Sequence, residues 1–277
     1  MLNGTSKRMG SGIRGLKRDT ELMILVGFLM FVLITIAGRQ GALTIVTVIF
    51  NVAVFAIGFW KAGDTSNVLE MCSRLVILFA VITLVGLNGI HKKTWAALFT
   101  TLIVLVMIMG IFDVVIHHAE DLDYSTMEYL GSIENPDEIF HAEILISGLG
   151  AIMDVAVAIA ASLSEIVEKK PEVTFLELFK SGREIGYDIM GTMINVLLFV
   201  FGCGLIPMCL IRMNNDVSLI TIIKLHIPCE LCRFLVESIG IVLAIPISIL
   251  VTSVMIKVAR MFRRQKKARK VQGEGKC

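Results

Sequence analysis

The chain has 277 residues, of which 56% are hydrophobic and 18% charged, with a formal net charge of +2. Soluble domains run nearer 45–50% apolar and about 25% charged, so an ordinary water-soluble fold is excluded. The apolar runs are continuous rather than alternating, which argues against a transmembrane β-barrel. The fold class expected is all-α: a polytopic transmembrane helical bundle with no sizeable soluble domain.

Residues 1–21 form a basic N-terminal tail carrying Lys7, Arg8, Arg14, Lys17 and Arg18. It lacks the apolar core of a signal peptide, and the run that follows lacks a small-residue cleavage site. About 20 apolar residues cross a bilayer, and on that measure residues 22–257 hold about seven spans. The first two, 22–38 and 42–60, are separated by a short GRQG link. Spans three and four cover 71–90 and 94–116, joined by GIHKK. Residues 117–143 then hold eight acids and no Lys or Arg, which reads as a solvated acidic loop before span five at 142–164. Segment 171–188 mixes apolar and charged residues like a short amphipathic helix on the membrane surface. Span six covers 189–211. Segment 217–228 is apolar but too short to span upright, and span seven covers 232–257. Residues 258–277 complete a basic C-terminal tail.

Lys and Arg in short loops favour the cytoplasm. This predicts a cytoplasmic C-terminus, an external acidic loop and, with seven spans, an external N-terminus. Basic tails beside a bilayer meet anionic lipid headgroups. No folded nucleic-acid-binding module is present, so nucleic acid is not an expected partner.

The informative polar residues lie inside the spans. On span five, Ser147, Ala151, Asp154, Ala158, Ala161 and Glu165 recur every three or four residues and share one helical face. The opposite face carries Leu145, Leu149, Ile152, Ile159, Leu163 and Ile166. An acid near the middle of a span costs several kcal/mol, roughly, unless it faces protein, water or an ion. Span six carries Asp188, Gly191, Thr192, Asn195 and Gly202 at similar spacing. Span seven carries Glu237, Gly240, Ala244, Ser248 and Thr252, with Pro246 removing one backbone hydrogen bond. Small residues allow close helix approach, which assigns Gly148, Gly150, Gly191, Gly202 and Gly240 to packing. The three stripes are expected to face one another, giving a proton or substrate pathway of Asp154, Asn195, Thr192, Asp188 and Glu237.

No other chemistry is marked. Cys229 and Cys232 form a lone CELC without two further zinc ligands at suitable spacing. His117, His118, Glu120, Asp121, Asp123, His141 and Glu143 match no fixed metal motif. There is no Gly-rich phosphate loop, HExxH or Ser-centred elbow. Neither a cofactor nor a metal is expected, and no nucleophile–base pair marks an enzyme.

Two segments, GLGAIMDVAVAIAASLSE (148–165) and SGREIGYDIMGTMINVLLFVFG (181–202), resemble those that mark the YibE/F family of bacterial membrane proteins. VESIGIVLAIPIS (236–248) looks like that family's last helix. The resemblance covers most of 22–257 and is strongest over 144–250. The chain is similar to the shorter, F-type members, which lack an extracytoplasmic domain. It differs from them at GYD (186–188), where a basic residue often precedes the Asp, and at Glu237, where a neutral residue is common. The resemblance implies a multi-pass, permease-like protein of the bacterial cell membrane. A more distant likeness, to the RND-type core of SecD/SecF, places Asp154 at the proton-carrying acid by motif position. Two functions follow as expectations: a transporter or permease subunit, proton-coupled through Asp154, or a non-transporting assembly partner of a longer YibE-type paralogue. A homo-oligomer is compatible with either.

Overall fold

Long apolar stretches without water must satisfy their backbone groups internally, and helices do so segment by segment. The computed structural model describes residues 2–62, 68–118, 136–225 and 227–274. The described residues form seven helices and no strands: α1 (Leu2–Ala62), α2 (Val68–Asn88), α3 (Lys92–His118), α4 (Pro136–Lys169), α5 (Phe175–Asn214), α6 (Leu219–Leu225) and α7 (Ile227–Glu274). Most of the loop predicted at 117–141 lies outside them.

The chain divides into two compact units, Met1–Val54 and Phe55–Cys277. In the first, α1 breaks at Gly38, whose φ of 53° and ψ of −123° suit a residue without a Cβ. Beyond the break, Gly41 comes against the Leu33 carbonyl. The first two predicted spans both fall in α1. The described residues therefore hold six helices long and apolar enough to cross a membrane, not seven. The first runs 39 residues, Thr20–Gly58. At 1.5 Å per residue that is about 58 Å, close to twice a hydrocarbon core of about 30 Å.

The second unit is a bundle with α4 and α7 at its centre. Glu143, Ser147 and Ala156 of α4 meet Arg233, Glu237 and Ser248 of α7 in the same order, so these two helices run parallel. Phe112 of α3 packs at a tilt against Phe140 at the start of α4, ring centroids 5.5 Å apart, while Ile108 reaches the region of Ile152 and Gly240 further along, which makes α3 antiparallel to both. Gly182 and Gly186 of α5 lie against Ile249 and Ile245 of α7, so α5 is antiparallel as well. Gly89, with a φ of 69°, turns the chain between α2 and α3. The last turns of α1 lie on α2, where a Cβ on Gly58 would stand 2.8 Å from Leu75 Cδ1.

The surface helix expected at 171–188 is not a separate element. Thr174 caps α5 with a capping box, its hydroxyl accepting from the Glu177 N–H while Glu177 reaches back to the Thr174 N–H at 3.0 Å. From there α5 runs without interruption into the sixth span. Segment 217–228 resolves into the short α6, of which Ile222 is buried, and the start of α7.

Candidate functional site

The charged groups of the bundle gather at its two ends. Asp113, His141, Glu143, Glu230 and Arg233 sit where α3 ends and α4 and α7 begin. Lys93, Lys169, Lys170, Lys180 and Arg183 sit at the opposite end, which we call basic although Lys169 and Lys170 pair there with Glu165 and Glu177.

At the acidic end, Arg233 pairs with Glu143 across the α4–α7 seam and with Glu230 on its own helix, the latter at 2.6 Å. His141 Nε2 lies 2.8 Å from Asp113 Oδ1, and its ring meets Phe112 edge-on at 4.6 Å. Below this layer, Glu237 is 6% exposed. Its carboxylate accepts from the Ser147 hydroxyl, and Arg233, Glu143 and Glu230 are the charged groups whose fields reach it. A buried carboxylate needs such partners because losing hydration costs several kcal/mol, roughly, per ion.

Two glycines line the seam around it. A Cβ on Gly148 would stand 3.8 Å from Glu237 Cγ and 3.7 Å from Ile152 Cδ1. One turn further along α7, a Cβ on Gly240 would collide with Ile108 and stand 3.2 Å from Ile152 Cδ1. Beyond this apolar layer, the Ser248 hydroxyl donates to the Ala156 carbonyl of α4 at 3.3 Å. Thr252 lies one turn further on, 1% exposed and with no partner for its hydroxyl among the described residues.

The seventh-span stripe is thus buried throughout: Glu237, Gly240, Ala244, Ser248 and Thr252 all lie inside the bundle. The other two stripes are placed otherwise. Asp154 is exposed, and no hydrogen bond or ion pair reaches it among the described residues. Leu145, Leu149, Ile152, Ile159 and Leu163, on the opposite face, form the core instead. On α5, Asp188, Gly191, Thr192 and Asn195 are exposed as well. Thr192 donates to the Ile189 carbonyl at 2.7 Å and Asn195 to the Gly191 carbonyl at 2.8 Å, both within their own helix. The face of α5 that packs is Leu178, Gly182 and Gly186. A Cβ on Gly150, Gly191 or Gly202 would meet nothing within 4 Å, so of the five glycines assigned to packing only Gly148 and Gly240 line a helix contact. The expected convergence of Asp154 with Thr192, Asn195 and Asp188 is not what these faces form.

The YibE/F-like protein family matches residues 25–258, most of the chain. The chain belongs to this family. With six long apolar helices it is a multi-pass membrane protein. No curated protein and no solved structure gives a match. The match carries nothing of the SecD/SecF likeness. Among its described residues the YibE/F-like core therefore holds one buried acid, on a seam between parallel helices, and an exposed acid at the middle of the central helix.

Sequence reasoning missed Arg233 and placed Glu143 in the acidic stretch 117–143, among residues that match no metal motif. Glu143 and Arg233 are 90 positions apart, so no local spacing relates them. The available signal was their equal distance from the starts of spans five and seven.

Proposed function

We propose that this chain is a membrane transport protein, a permease or permease subunit of the bacterial cell membrane, and not an enzyme. The observation that carries the reading is Glu237: a carboxylate buried in the α4–α7 seam, held by Ser147 beneath the Arg233 ion pairs. Intramembrane acids are costly, and where they persist they mark ion and substrate pathways. In this reading the coupling acid is Glu237 rather than Asp154, which faces outward. The basic end lies in the cytoplasm with the C-terminal tail, beside anionic headgroups, as the Lys and Arg bias favours.

The test is flux through proteoliposomes of the purified chain, under an imposed pH gradient, with a panel of small ions and metabolites. The expected result is gradient-driven movement of at least one solute, lowered at least ten-fold by Glu237→Gln at unchanged Tm. Equal flux through a folded Glu237→Gln protein, or no solute moved at all, sinks the reading.

A second reading, an assembly partner of a longer YibE-type paralogue, is favoured by Asp154. An exposed acid amid Ala151, Ala158 and Ala161 suits another helix better than lipid. Co-purification decides: a chain that works as a lone monomer counts against it.

A further inference from the structure

We propose that the α4–α7 seam is a gated path for protons, with Glu237 on one side of an apolar plug and Ser248 and Thr252 on the other. This rests on the transport reading and names its driving species.

The path begins at the acidic end. Glu143, Glu230 and Arg233 surround the entrance, and Asp113 with His141 borders it on α3 and α4. Glu237 takes up a proton there, its carboxylate becoming the neutral acid while Ser147 turns to it as donor or acceptor. Beyond Glu237 the way is closed. Ile108 and Ile152 fill the groove that Gly240 leaves open, and Val104, Ile241 and Ala244 around them are fully buried.

Past the plug, polar atoms return without enough partners. Hydroxyls in these helices ordinarily donate to a carbonyl one turn back, as Thr101 does to Ala97 at 2.9 Å and Ser164 to Ala160 at 2.7 Å. Thr252 does not, although it is almost wholly buried. Ser253, Thr100 and Thr94, at the same end, also hold buried hydroxyls without partners. A polar site of this kind is where water is held in a protein interior. The hydroxyls of Thr252 and, above it, Ser248 line the proton's exit toward the basic end. The groove at Gly240 has no room for a solute, and the groups along the seam are a carboxylate and hydroxyls, which suits a proton.

The experiment is passive proton uptake into proteoliposomes loaded with a pH-sensitive dye, driven by a potassium diffusion potential. It needs no substrate, so it stands apart from the flux test above. Ile108→Ala should raise uptake at least ten-fold over wild type. Adding Glu237→Gln or Thr252→Val to Ile108→Ala should return it to within two-fold of wild type. Should Ile108→Ala fail to fold, Ile152→Val, which removes only a methyl, should raise uptake two- to five-fold. A folded Ile108→Ala or Ile152→Val protein with no added leak overturns the proposal. So does a leak that survives both Glu237→Gln and Thr252→Val, since that leak runs elsewhere.

Discussion

Gly148 of α4 and Glu237 of α7 face each other so closely that a Cβ on the glycine would stand 3.8 Å from the glutamate Cγ. Beside that glycine, Ser147 gives α4 a hydroxyl that donates to the one buried carboxylate among the described residues.

Ser147→Ala should therefore destabilise the protein through Glu237. Leaving a buried acceptor without its donor costs about 1–3 kcal/mol. The expected result is a lower Tm for Ser147→Ala. Adding Glu237→Leu, which removes the unsatisfied group, should recover most of the loss. A Ser147→Ala Tm equal to wild type would show that the contact contributes nothing.

Arg233 joins α4 to the first turns of α7 through Glu143 and Glu230. Arg233 and Glu230 are about one quarter exposed, whereas Glu143 is nearly half exposed, so the pair with Glu143 is screened. A double-mutant cycle of Arg233→Gln and Glu143→Gln should give a coupling of about 1 kcal/mol or less. Raising salt should shrink it, which denaturation at two ionic strengths measures.

The α5–α7 contact depends on Gly182, where a Cβ would stand 2.8 Å from Ile249 Cγ1 and 3.3 Å from Leu163 Cδ2. Gly182→Leu should cost about 1–3 kcal/mol or more by overpacking. Gly191→Ala and Gly202→Ala, where a Cβ meets nothing within 4 Å, should cost nothing and gain up to about 1 kcal/mol in helix propensity. Tm values of the three variants, side by side, check the ranking.

Asp154→Leu removes an exposed acid from the middle of α4. An acid there costs about 2.5–3.5 kcal/mol on insertion scales, so the isolated chain should lose no stability. If a partner helix covers this face, capture of a longer family member should fall at least ten-fold. Unchanged capture would remove the partner from this face.

Much of this was legible from the chain alone. Run length located every long apolar helix, although it counted seven spans where α1 joins the first two, and spacing picked out the line Glu237–Gly240–Ala244–Ser248–Thr252 that the bundle buries. What spacing does not say is which stripe turns inward. In water the apolar face packs and the polar face is wet, but in a membrane both sides of a helix meet apolar surroundings. Polarity then loses its direction, and α4 places Ile152, Ile159 and Leu163 inside while Asp154 looks out. On α5 the packing glycines, Gly182 and Gly186, lie just before the stripe that the sequence offered. Their charged neighbours Arg183 and Glu184 made that stretch read as a surface segment.

Because α4 and α7 run parallel, both present their N-terminal ends at the acidic end, where Glu230, in the first turn of α7, meets partial positive charge. Glu237 lies seven residues into the 29-residue span Glu230–Val258, about one quarter of its length. A proton reaching it from that end therefore crosses about one quarter of the membrane potential. At about 2.3 kcal/mol per charge per 100 mV, voltage tilts its occupancy by about 0.6 kcal/mol per 100 mV. The depth of one glutamate along one helix makes the protonation of this seam a voltage-dependent quantity, readable as displaced charge under a clamp.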